Sequence, residues 1–310
     1  MFQPMDRRFS RRGALKCLAW AGTGVLWTVS GGIPRSFALD GAAVAAGAGF
    51  TFVQISDSHI GFHKPVNPDV TATLRETVAR INALPVRPAF VVHTGDITDF
   101  SKPEEFDTAA EILKEIKGIP VHYVPGEHDL LDGDGQAYLA RYGKGTLGNG
   151  WYSFDHGGVH VLALNNVAQF KPGGLGLLGD SQVAWLREDV AGLSSETPIV
   201  VLAHMPLWPA YAKWGWGTDD AVEALGYLRR FGSVTVLNGH IHQVMQKIEG
   251  NFSFHTARST AFPQPEPGTA PGPGPLMVPA GALRDYLGLR SVTVQPGDGP
   301  LALTDRSLAS

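Results

Sequence analysis

Carboxylate and imidazole side chains recur in this 310-residue chain at the ends of short apolar segments, an arrangement that suits metal binding. The positions that follow such segments are Asp57, Asp96, Glu127, His204 and His240, and two more histidines, His59 and His242, stand two residues beyond the first and the last of them. Imidazole and carboxylate ligands together favour Zn, Mn, Fe, Co or Ni over Ca or Mg. Seven ligands are too many for one closed site, but they suit two metal ions about 3.5–4 Å apart that share one carboxylate.

Two metal ions at this spacing perform a specific chemistry. They bind two oxygens of one phosphate group and lower the pKa of the water that bridges them, so that a hydroxide is available at neutral pH. The arrangement therefore predicts hydrolysis of a phosphate ester. The one cysteine of the chain, Cys17, lies near the N-terminus, so the ligands must be histidines and carboxylates instead of thiolates.

The elements that must position these side chains follow from the apolar pattern. Apolar runs predict strands at 50–55, 89–92, 121–124, 159–164, 199–202, 234–237, 252–256 and 292–295. Apolar residues at helical spacing predict helices within 69–84, 103–117, 180–193 and 221–231, with Asp180 as the cap of the third helix. Alternating strands and helices indicate an α/β fold. Because the carboxyl ends of strands meet at one sheet edge, the seven side chains are expected to converge there.

Five motifs of the chain resemble, in the same order, those of the calcineurin-like metallophosphoesterase family. They are Asp57-Ser58-His59, Gly95-Asp96-Ile97-Thr98-Asp99, Gly126-Glu127-His128-Asp129, His204-Met205-Pro206 and Gly239-His240-Ile241-His242. The resemblance covers roughly residues 50–260. It implies a four-layer αββα sandwich of the metallo-dependent phosphatase type, with the site at the strand ends. It also implies two bound metal ions, chosen from Fe, Mn and Zn.

The same resemblance assigns a role to each site residue. The first metal ion takes Asp57, His59 and His242, the second takes Glu127, His204 and His240, and Asp96 bridges the two. His128 is expected beside the leaving group as a general acid, with Asp99 orienting its ring. A carboxylate that orients an imidazole also favours its protonated form, which suits an acid.

Glu127 departs from the pattern of the family, which usually has asparagine at this position. An asparagine binds a metal ion through a neutral oxygen, and its NH₂ group can donate to the phosphate. A glutamate adds a negative charge and offers no donor. We therefore expect Glu127 to strengthen metal binding and to weaken phosphate binding.

The leading interpretation is an enzyme that hydrolyses phosphate esters, and its spacing is most similar to the cyclic-nucleotide phosphodiesterase group. Amidohydrolases also hold two metal ions, but they usually begin with a His-x-His pair, whereas this chain begins with Asp-x-His. An exported metal-binding or sensor protein on the same scaffold, with weak or no turnover, is the alternative that Glu127 favours. His128 and Asp99 count against it, because a binding protein has no need of a leaving-group acid.

Composition and the remaining motifs narrow the partners. A net charge of −4 argues against a nucleic-acid polymer, whose binding normally needs a basic face, so a small phosphate ester is the expected substrate. His63 and Lys64 follow the first motif and could meet a phosphate. The aromatic segment 205–220 is expected either to stack a base or to pack in the protein wall. The segment 263–281, rich in proline and glycine, is expected to be a solvated linker.

The N-terminus indicates export. Basic residues at positions 7, 8, 11 and 12 precede an apolar run over 14–29, and residues 36–38 fit a small-x-small cleavage site. The segment around Arg11 and Arg12 resembles the twin-arginine export signal. We therefore expect a twin-arginine signal peptide at 1–38, a flexible linker at 39–49 and a metallophosphoesterase domain at 50–310. The protein is therefore expected to be bacterial and periplasmic or secreted, with the twin-arginine export machinery as a partner. No stable membrane span is expected after processing. An uncleaved amphipathic anchor is the alternative.

Overall fold

The computed structural model describes residues 26–30, 33–37, 49–169, 171, 173–279, 281–295 and 301–310. The chain divides into an N-terminal unit, Met1–Gly49, and a larger unit, Phe50–Ser310. In the N-terminal unit, strands β1 (Leu26–Ser30) and β2 (Ile33–Phe37) form an antiparallel hairpin. The signal peptide and the linker that we predict for residues 1–49 fall mainly outside the described residues, so both stay predictions.

A five-stranded sheet forms the first half of the larger unit. Its strands are β3 (Phe50–Ile55), β4 (Val91–His93), β5 (Val121–Tyr123), β12 (Gly288–Val294) and β13 (Ala302–Ser307). The spatial order is β13-β12-β3-β4-β5. β3, β4 and β5 run parallel, whereas β12 is antiparallel to β3 and β13 is antiparallel to β12. The carboxyl ends of the three parallel strands therefore share one edge.

A six-stranded sheet forms the second half. Its strands are β6 (Tyr152–His156), β7 (Val159–Ala163), β8 (Ile199–Leu202), β9 (Val234–Asn238), β10 (Gln246–Glu249) and β11 (Phe252–Thr256). The spatial order is β10-β11-β9-β8-β7-β6. β7, β8, β9 and β11 run parallel, and an antiparallel strand closes each edge.

Helices cover the outer faces of both sheets. The helices are α1 (Val70–Asn82), α2 (Pro103–Leu113) and α3 (Gln136–Tyr142) on the five-stranded sheet, α4 (Asp180–Val190) and α5 (Ala221–Leu228) on the six-stranded sheet, and the short α6 (Leu283–Tyr286). A third apolar layer, which includes Phe52, Val161 and Leu237, lies between the sheets. The predicted four-layer αββα sandwich is therefore confirmed. In the described part of the chain, no helix is long and apolar enough to cross a membrane.

Helix α1 shows how the sequence specifies these layers. Its residues Val70, Leu74 and Ile81 recur at helical spacing, and all three are buried in the layer between the helix and the sheet. The carboxylate of Asp69 accepts a hydrogen bond from the N–H of Ala72 at 3.0 Å and caps the helix. The apolar face and the cap both place the start of the helix at Val70, so the start of α1 is predictable from the sequence.

Several predicted boundaries need correction. The helix predicted to extend to residue 117 ends at Leu113. The helix predicted to extend to residue 231 ends at Leu228. Asp180 does not cap α4 but is its first residue, because Gly179 occupies the cap position and no side chain caps the helix. The elements β6, β10, β13, α3 and α6 were not predicted. The segment 263–281 contains no helix or strand among its described residues, as expected.

Candidate metal centre

The predicted ligands lie at the strand ends of both sheets. In the five-stranded sheet, Asp57 follows β3, Asp96 follows β4 and Glu127 follows β5. In the six-stranded sheet, His204 follows β8 and His240 follows β9. A short loop after each of these five strands therefore brings side chains from both sheets to one place. The candidate metal centre straddles the two sheets.

The first group of ligands consists of Asp57, His59 and His242. The Nε2 atom of His242 lies 3.3 Å from a carboxylate oxygen of Asp57 and 3.2 Å from Nε2 of His59. All three side chains are buried. One candidate ligand atom from each residue lies within 4.8 Å of the others, a spacing that one metal ion can satisfy.

The second group consists of Glu127, His204 and His240. One carboxylate oxygen of Glu127 lies 2.8 Å from Nε2 of His204, and the other lies 2.9 Å from Nδ1 of His240. Asp96 stands between the groups, because its Oδ2 atom is 3.3 Å from Nε2 of His204 and 3.5 Å from Nε2 of His59. This contact with both groups is the position that a bridging carboxylate needs.

Three of the histidines are oriented by hydrogen bonds on their outer ring nitrogens. The Nδ1–H groups of His204, His242 and His59 donate to the Thr94 carbonyl at 2.7 Å, the Phe262 carbonyl at 2.6 Å and the Asp99 carboxylate at 3.0 Å, respectively. An outer bond of this kind fixes the tautomer in which Nε2 carries no proton. The inner nitrogen of each ring is then free to bind a metal ion.

The inner atoms of the centre fit metal coordination. Asp57 Oδ2, Glu127 Oε2, His204 Nε2 and His240 Nδ1 are buried and have no hydrogen bond of acceptable geometry within the described residues, although Glu127 Oε2 and His204 Nε2 lie only 2.8 Å apart. Buried polar atoms normally have partners, and those without a partner are costly. Metal ions would satisfy these facing atoms together. The set of three carboxylates and four imidazoles suits Fe, Mn or Zn better than Ca or Mg.

The electrostatics of the centre also favour cations. Burial alone would lower the pKa of His204, but Asp96 and Glu127 raise it well above its ordinary value. Burial alone would raise the pKa of Glu127, but His240 and His204 lower it well below its ordinary value. The carboxylates therefore attract positive charge strongly. Metal ions can take the place of protons on such imidazoles as they bind.

The backbone of the ligand loops is strained. The φ angle is positive at Asp57 (55°), His59 (41°), Asp96 (52°), His240 (69°) and His242 (52°). This left-handed region is unfavourable for residues that carry a Cβ and costs about 1–3 kcal/mol at each position. Among the non-glycine residues of the described chain, only Ser101 shares this property. Strain concentrated in the ligands indicates that the surrounding structure holds them in a functional geometry.

Glycines stand directly behind two of the ligands. A Cβ atom at Gly239 would lie 2.7 Å from Oδ2 of Asp57, and one at Gly126 would lie 2.1 Å from Oδ1 of Asp96. Both distances are too short for a carbon to be accommodated. The motifs therefore need glycine at these positions so that the loops can approach each other closely.

His128 lies beside His59 and Asp96, and its orientation differs from the expectation. Its main-chain N–H donates to Oδ1 of Asp96 at 2.9 Å. Its ring Nδ1–H donates to the main-chain carbonyl of Asp99 at 2.8 Å, whereas the Asp99 carboxylate is 3.8 Å away and pairs with His59. The Asp99 carboxylate therefore orients His59, a candidate metal ligand, and the Asp99 carbonyl orients His128. Burial lowers the pKa of His128, but Asp96 and Glu127 raise it to about 9 overall.

Asp129 is a buried carboxylate to which the sequence assigned no role. Its Oδ2 atom accepts hydrogen bonds from the N–H groups of Ile97 at 3.1 Å and Gly126 at 2.9 Å. Its Oδ1 atom accepts from the N–H of Thr98 at 2.9 Å and from the Thr98 hydroxyl at 3.0 Å. Asp129 thus ties the loop after β4 to the loop after β5. Its place at the end of the Gly-Glu-His-Asp motif was the feature of the sequence that could have indicated a role for Asp129.

Two further features could contact a substrate: the pair His63 and Lys64, and the aromatic segment 205–220. His63 and Lys64 are exposed, and the Lys64 ammonium lies 5.7 Å from the centre of the Phe62 ring. In the aromatic segment, Trp214 and Trp216 are buried and pack edge to face at 5.1 Å. This geometry favours wall packing over stacking on a base.

The chain is similar to known phosphoesterases. The chain matches the calcineurin-like phosphoesterase family over residues 50–244. The glycerophosphodiester phosphodiesterase GpdQ of Enterobacter lignolyticus is 28% identical over 185 residues, which are 57% of this chain and 64% of that protein. A probable cyclic nucleotide phosphodiesterase of Rhodococcus erythropolis is 25% identical over 220 residues, 68% of this chain and 71% of that protein. A dimetal phosphatase structure from Danio rerio, 17% identical, matches with a TM-score of 0.55 over 83% of this chain and 99% of that one.

The two-sheet fold carries a cluster of histidines and carboxylates at its strand ends, as the family match over residues 50–244 leads one to expect. This chain belongs to the calcineurin-like phosphoesterase family. The match spans less than two thirds of the length of GpdQ.

Proposed function

We propose that this protein hydrolyses phosphodiesters at a dinuclear metal centre. The observation that supports the proposal most directly is the pair of ligand groups, each with three side chains, that Asp96 contacts on both sides. Two relatives, GpdQ and the Rhodococcus protein, carry the name of phosphodiesterases. The family supports hydrolysis of a phosphate ester bond. The charge of the centre supports a phosphodiester over a phosphomonoester as the substrate.

Each metal ion would have its own ligands. Asp57, His59 and His242 would hold one ion, Glu127, His204 and His240 would hold the other, and Asp96 would bridge them. When bound, two such ions neutralise charge on the phosphate and lower the pKa of water at the centre. The protein contributes a rigid frame, because strained loops and outer hydrogen bonds hold six of the seven candidate ligands in place.

The charge of Glu127 favours a diester as substrate. Two divalent ions bring four positive charges, while Asp57, Asp96 and Glu127 bring three negative charges and a hydroxide nucleophile brings a fourth. The centre is then neutral, whereas an asparagine in place of Glu127 would leave one positive charge. A phosphodiester carries one negative charge and a phosphomonoester carries up to two. Repulsion from Glu127 therefore disfavours a monoester more strongly.

His128 is positioned to protonate the leaving oxygen. Asp96 fixes its main chain, and the carbonyl of Asp99 holds its ring through Nδ1. The second ring nitrogen can then hold the proton that passes to the leaving group. The ring is 37% exposed, so a substrate can reach it. General acid catalysis of this kind typically contributes about 10²–10⁴-fold to the rate.

Metal analysis and diester turnover on one preparation test this proposal. The wild-type protein should contain two metal ions per chain and should hydrolyse bis(p-nitrophenyl) phosphate. The substitution Asp96→Asn should weaken the binding of both ions, because a neutral amide cannot offset two cations. Asp107→Asn, which neutralises an exposed carboxylate on α2, is the matched control and should retain both ions.

The outcomes separate the proposal from its alternative. One metal ion or none in correctly matured wild-type protein would refute the dinuclear centre. Two ions without turnover of the activated diester would favour an exported metal-binding or sensor protein on the same scaffold, which Glu127 also supports.

We further propose export through the twin-arginine pathway to the periplasm or the cell exterior, on the sequence of residues 1–38. Export in a folded state would allow the protein to take up its metal ions in the cytoplasm. This matters because Cu and Zn bind most tightly wherever metal ions compete freely.

A further inference from the structure

A buried glutamine lies between the two sheets beneath the candidate metal centre. Gln54, in β3, is fully buried. Because side chains alternate along a strand, Gln54 faces the same side as Phe52, which belongs to the apolar layer between the sheets. An amide among apolar side chains is costly unless its polar atoms are hydrogen bonded. Hydrogen bonds to the Gln54 amide must therefore offset the cost of burying it in this layer.

The amide of Gln54 connects the two sheets. Its Nε2 atom donates to the hydroxyl of Thr94 at 3.0 Å and to the carbonyl oxygen of Asn238 at 3.1 Å. Thr94 follows β4 of the five-stranded sheet, and Asn238 ends β9 of the six-stranded sheet. Its Oε1 atom accepts a hydrogen bond from Nη1 of Arg290 at 3.2 Å. Both amide hydrogens and the oxygen are used, so Gln54 can lie in only one orientation.

Two of the three partners of Gln54 contact His204 or the residues beside it. The carbonyl oxygen of Thr94 accepts the hydrogen bond from Nδ1 of His204 at 2.7 Å. The side-chain amide of Asn238 donates to the carbonyl oxygens of the two residues that flank His204, at 2.8 and 2.9 Å. Asn238 also stands two residues before His240. A displacement of Gln54 would therefore reach His204 through one intervening residue, either Thr94 or Asn238.

Arg290 holds Gln54 in this orientation. Arg290 is 1% exposed and lies opposite Gln54 in the pairing of β12 with β3. Its guanidinium makes a two-point contact with the carboxylate of Asp305 at 2.9 and 3.0 Å and donates to the carbonyl of Thr256 at 2.9 Å. A guanidinium held at this many points has a fixed plane. Its remaining N–H groups therefore determine which end of the Gln54 amide faces β12.

We propose that Gln54, held by Arg290, is a positioning residue that sets the register between the two sheets at the metal centre. The inference rests on the proposed dinuclear site. Each ligand group draws side chains from both sheets, so a small shift of one sheet against the other distorts both groups. The apolar layer resists separation of the sheets, but hydrophobic contact is not directional. The hydrogen bonds of Gln54 are directional and supply the register that apolar packing leaves open.

Metal titration of matched variants tests this role. Gln54→Leu keeps the size of the side chain and removes its hydrogen bonds. Gln182→Leu is the control, because Gln182 is also a buried glutamine, and its three side-chain hydrogen bonds go to Asn165 and Leu178 instead of to groups that hold ligands. Two readouts are needed: Mn(II) affinity by calorimetry, and the magnetic coupling between two bound Mn(II) ions by electron paramagnetic resonance. Thermal unfolding of the metal-free proteins measures the structural cost of each change.

Both leucine variants should lose comparable thermal stability. Only Gln54→Leu should weaken Mn(II) binding, by about tenfold as for other outer contacts of metal ligands, and should alter the magnetic coupling. A milder variant, Asp305→Asn, loosens Arg290 and leaves residue 54 as glutamine. It should weaken Mn(II) binding less than Gln54→Leu does. Its control is Asp107→Asn, which changes an exposed carboxylate of α2.

The possible outcomes are distinct. Equal Mn(II) affinity and unchanged coupling in Gln54→Leu and Gln182→Leu would overturn the positioning role. If Gln54→Leu does not fold, Asp305→Asn decides, and affinity equal to that of Asp107→Asn overturns the inference. Wild-type protein that binds no pair of Mn(II), Fe(II) or Zn(II) ions overturns the proposed function itself, whatever the variants show.

Discussion

Replacing Glu127 with asparagine should shift the centre from phosphodiesters towards phosphomonoesters. Glu127 is the position at which this chain departs from the asparagine that is usual in its family. Its two carboxylate oxygens lie 2.8 Å from Nε2 of His204 and 2.9 Å from Nδ1 of His240. A phosphate that binds the second metal ion must approach these same ligand atoms. The negative charge of Glu127 is therefore felt by every substrate.

The expected magnitude follows from charge and distance. At about 5 Å and an effective dielectric constant near 20, one unit of charge changes an interaction by about 3 kcal/mol. A monoester dianion experiences this change twice and a diester once, so their difference is also about 3 kcal/mol. Since about 1.4 kcal/mol corresponds to a factor of ten, the upper limit is roughly 100-fold. With partial screening, the ratio of monoester to diester kcat/KM should rise by about 10- to 100-fold.

The assay compares p-nitrophenyl phosphate with bis(p-nitrophenyl) phosphate, which share one leaving group. Metal content is measured for every variant on the same preparation. Glu127→Gln is the matched control, because it removes the charge and keeps the length of the side chain. If charge is the cause, both variants should raise the ratio, while a rise confined to Glu127→Asn would point to geometry. A ratio that falls or stays constant in both variants, with two ions still bound, would refute the reasoning.

Three further changes have defined outcomes. His128→Ala should retain both metal ions and lower kcat by about 10²–10⁴-fold for poor leaving groups, with a smaller loss for p-nitrophenol, which needs little protonation. Gly239→Ala should weaken metal binding at least tenfold in a metal titration, because its Cβ would lie 2.1 Å from Oγ of Ser56 and 2.7 Å from Oδ2 of Asp57. Arg11→Lys combined with Arg12→Lys should leave the precursor in the cytoplasm in a cell-fractionation experiment.

Each of these predictions has a contrary result. Equal losses of kcat for good and poor leaving groups would rule out the acid role of His128. Gly226→Ala, in α5, is the control for the glycine variant, because a Cβ there meets no atom within 4 Å. The two glycine variants should therefore differ in metal affinity, and equal affinities would count against close packing behind Asp57. Undiminished periplasmic protein in the double arginine variant would contradict twin-arginine export.

The sequence by itself predicted most of the strands that carry the candidate site, and it named the residues that cluster there. The predicted strands at 50–55, 199–202 and 252–256 begin and end at the residues found in the structure. These features are local, because an apolar run of four to six residues and the polar motif after it are contiguous in the chain. Strand ends that share an edge then bring the motifs together. The ligands could therefore be named without knowledge of which atoms touch.

Tertiary structure alone decided how those ligands are held. The carboxylate of Asp99 orients His59, and only its main-chain carbonyl reaches the ring of His128. Both atoms belong to the same residue, so no pattern of residue types could distinguish them. The link between Gln54 and Arg290 joins residues 236 positions apart. Hydrogen bonds depend on distances and angles between individual atoms, and these become defined only when both sheets are packed.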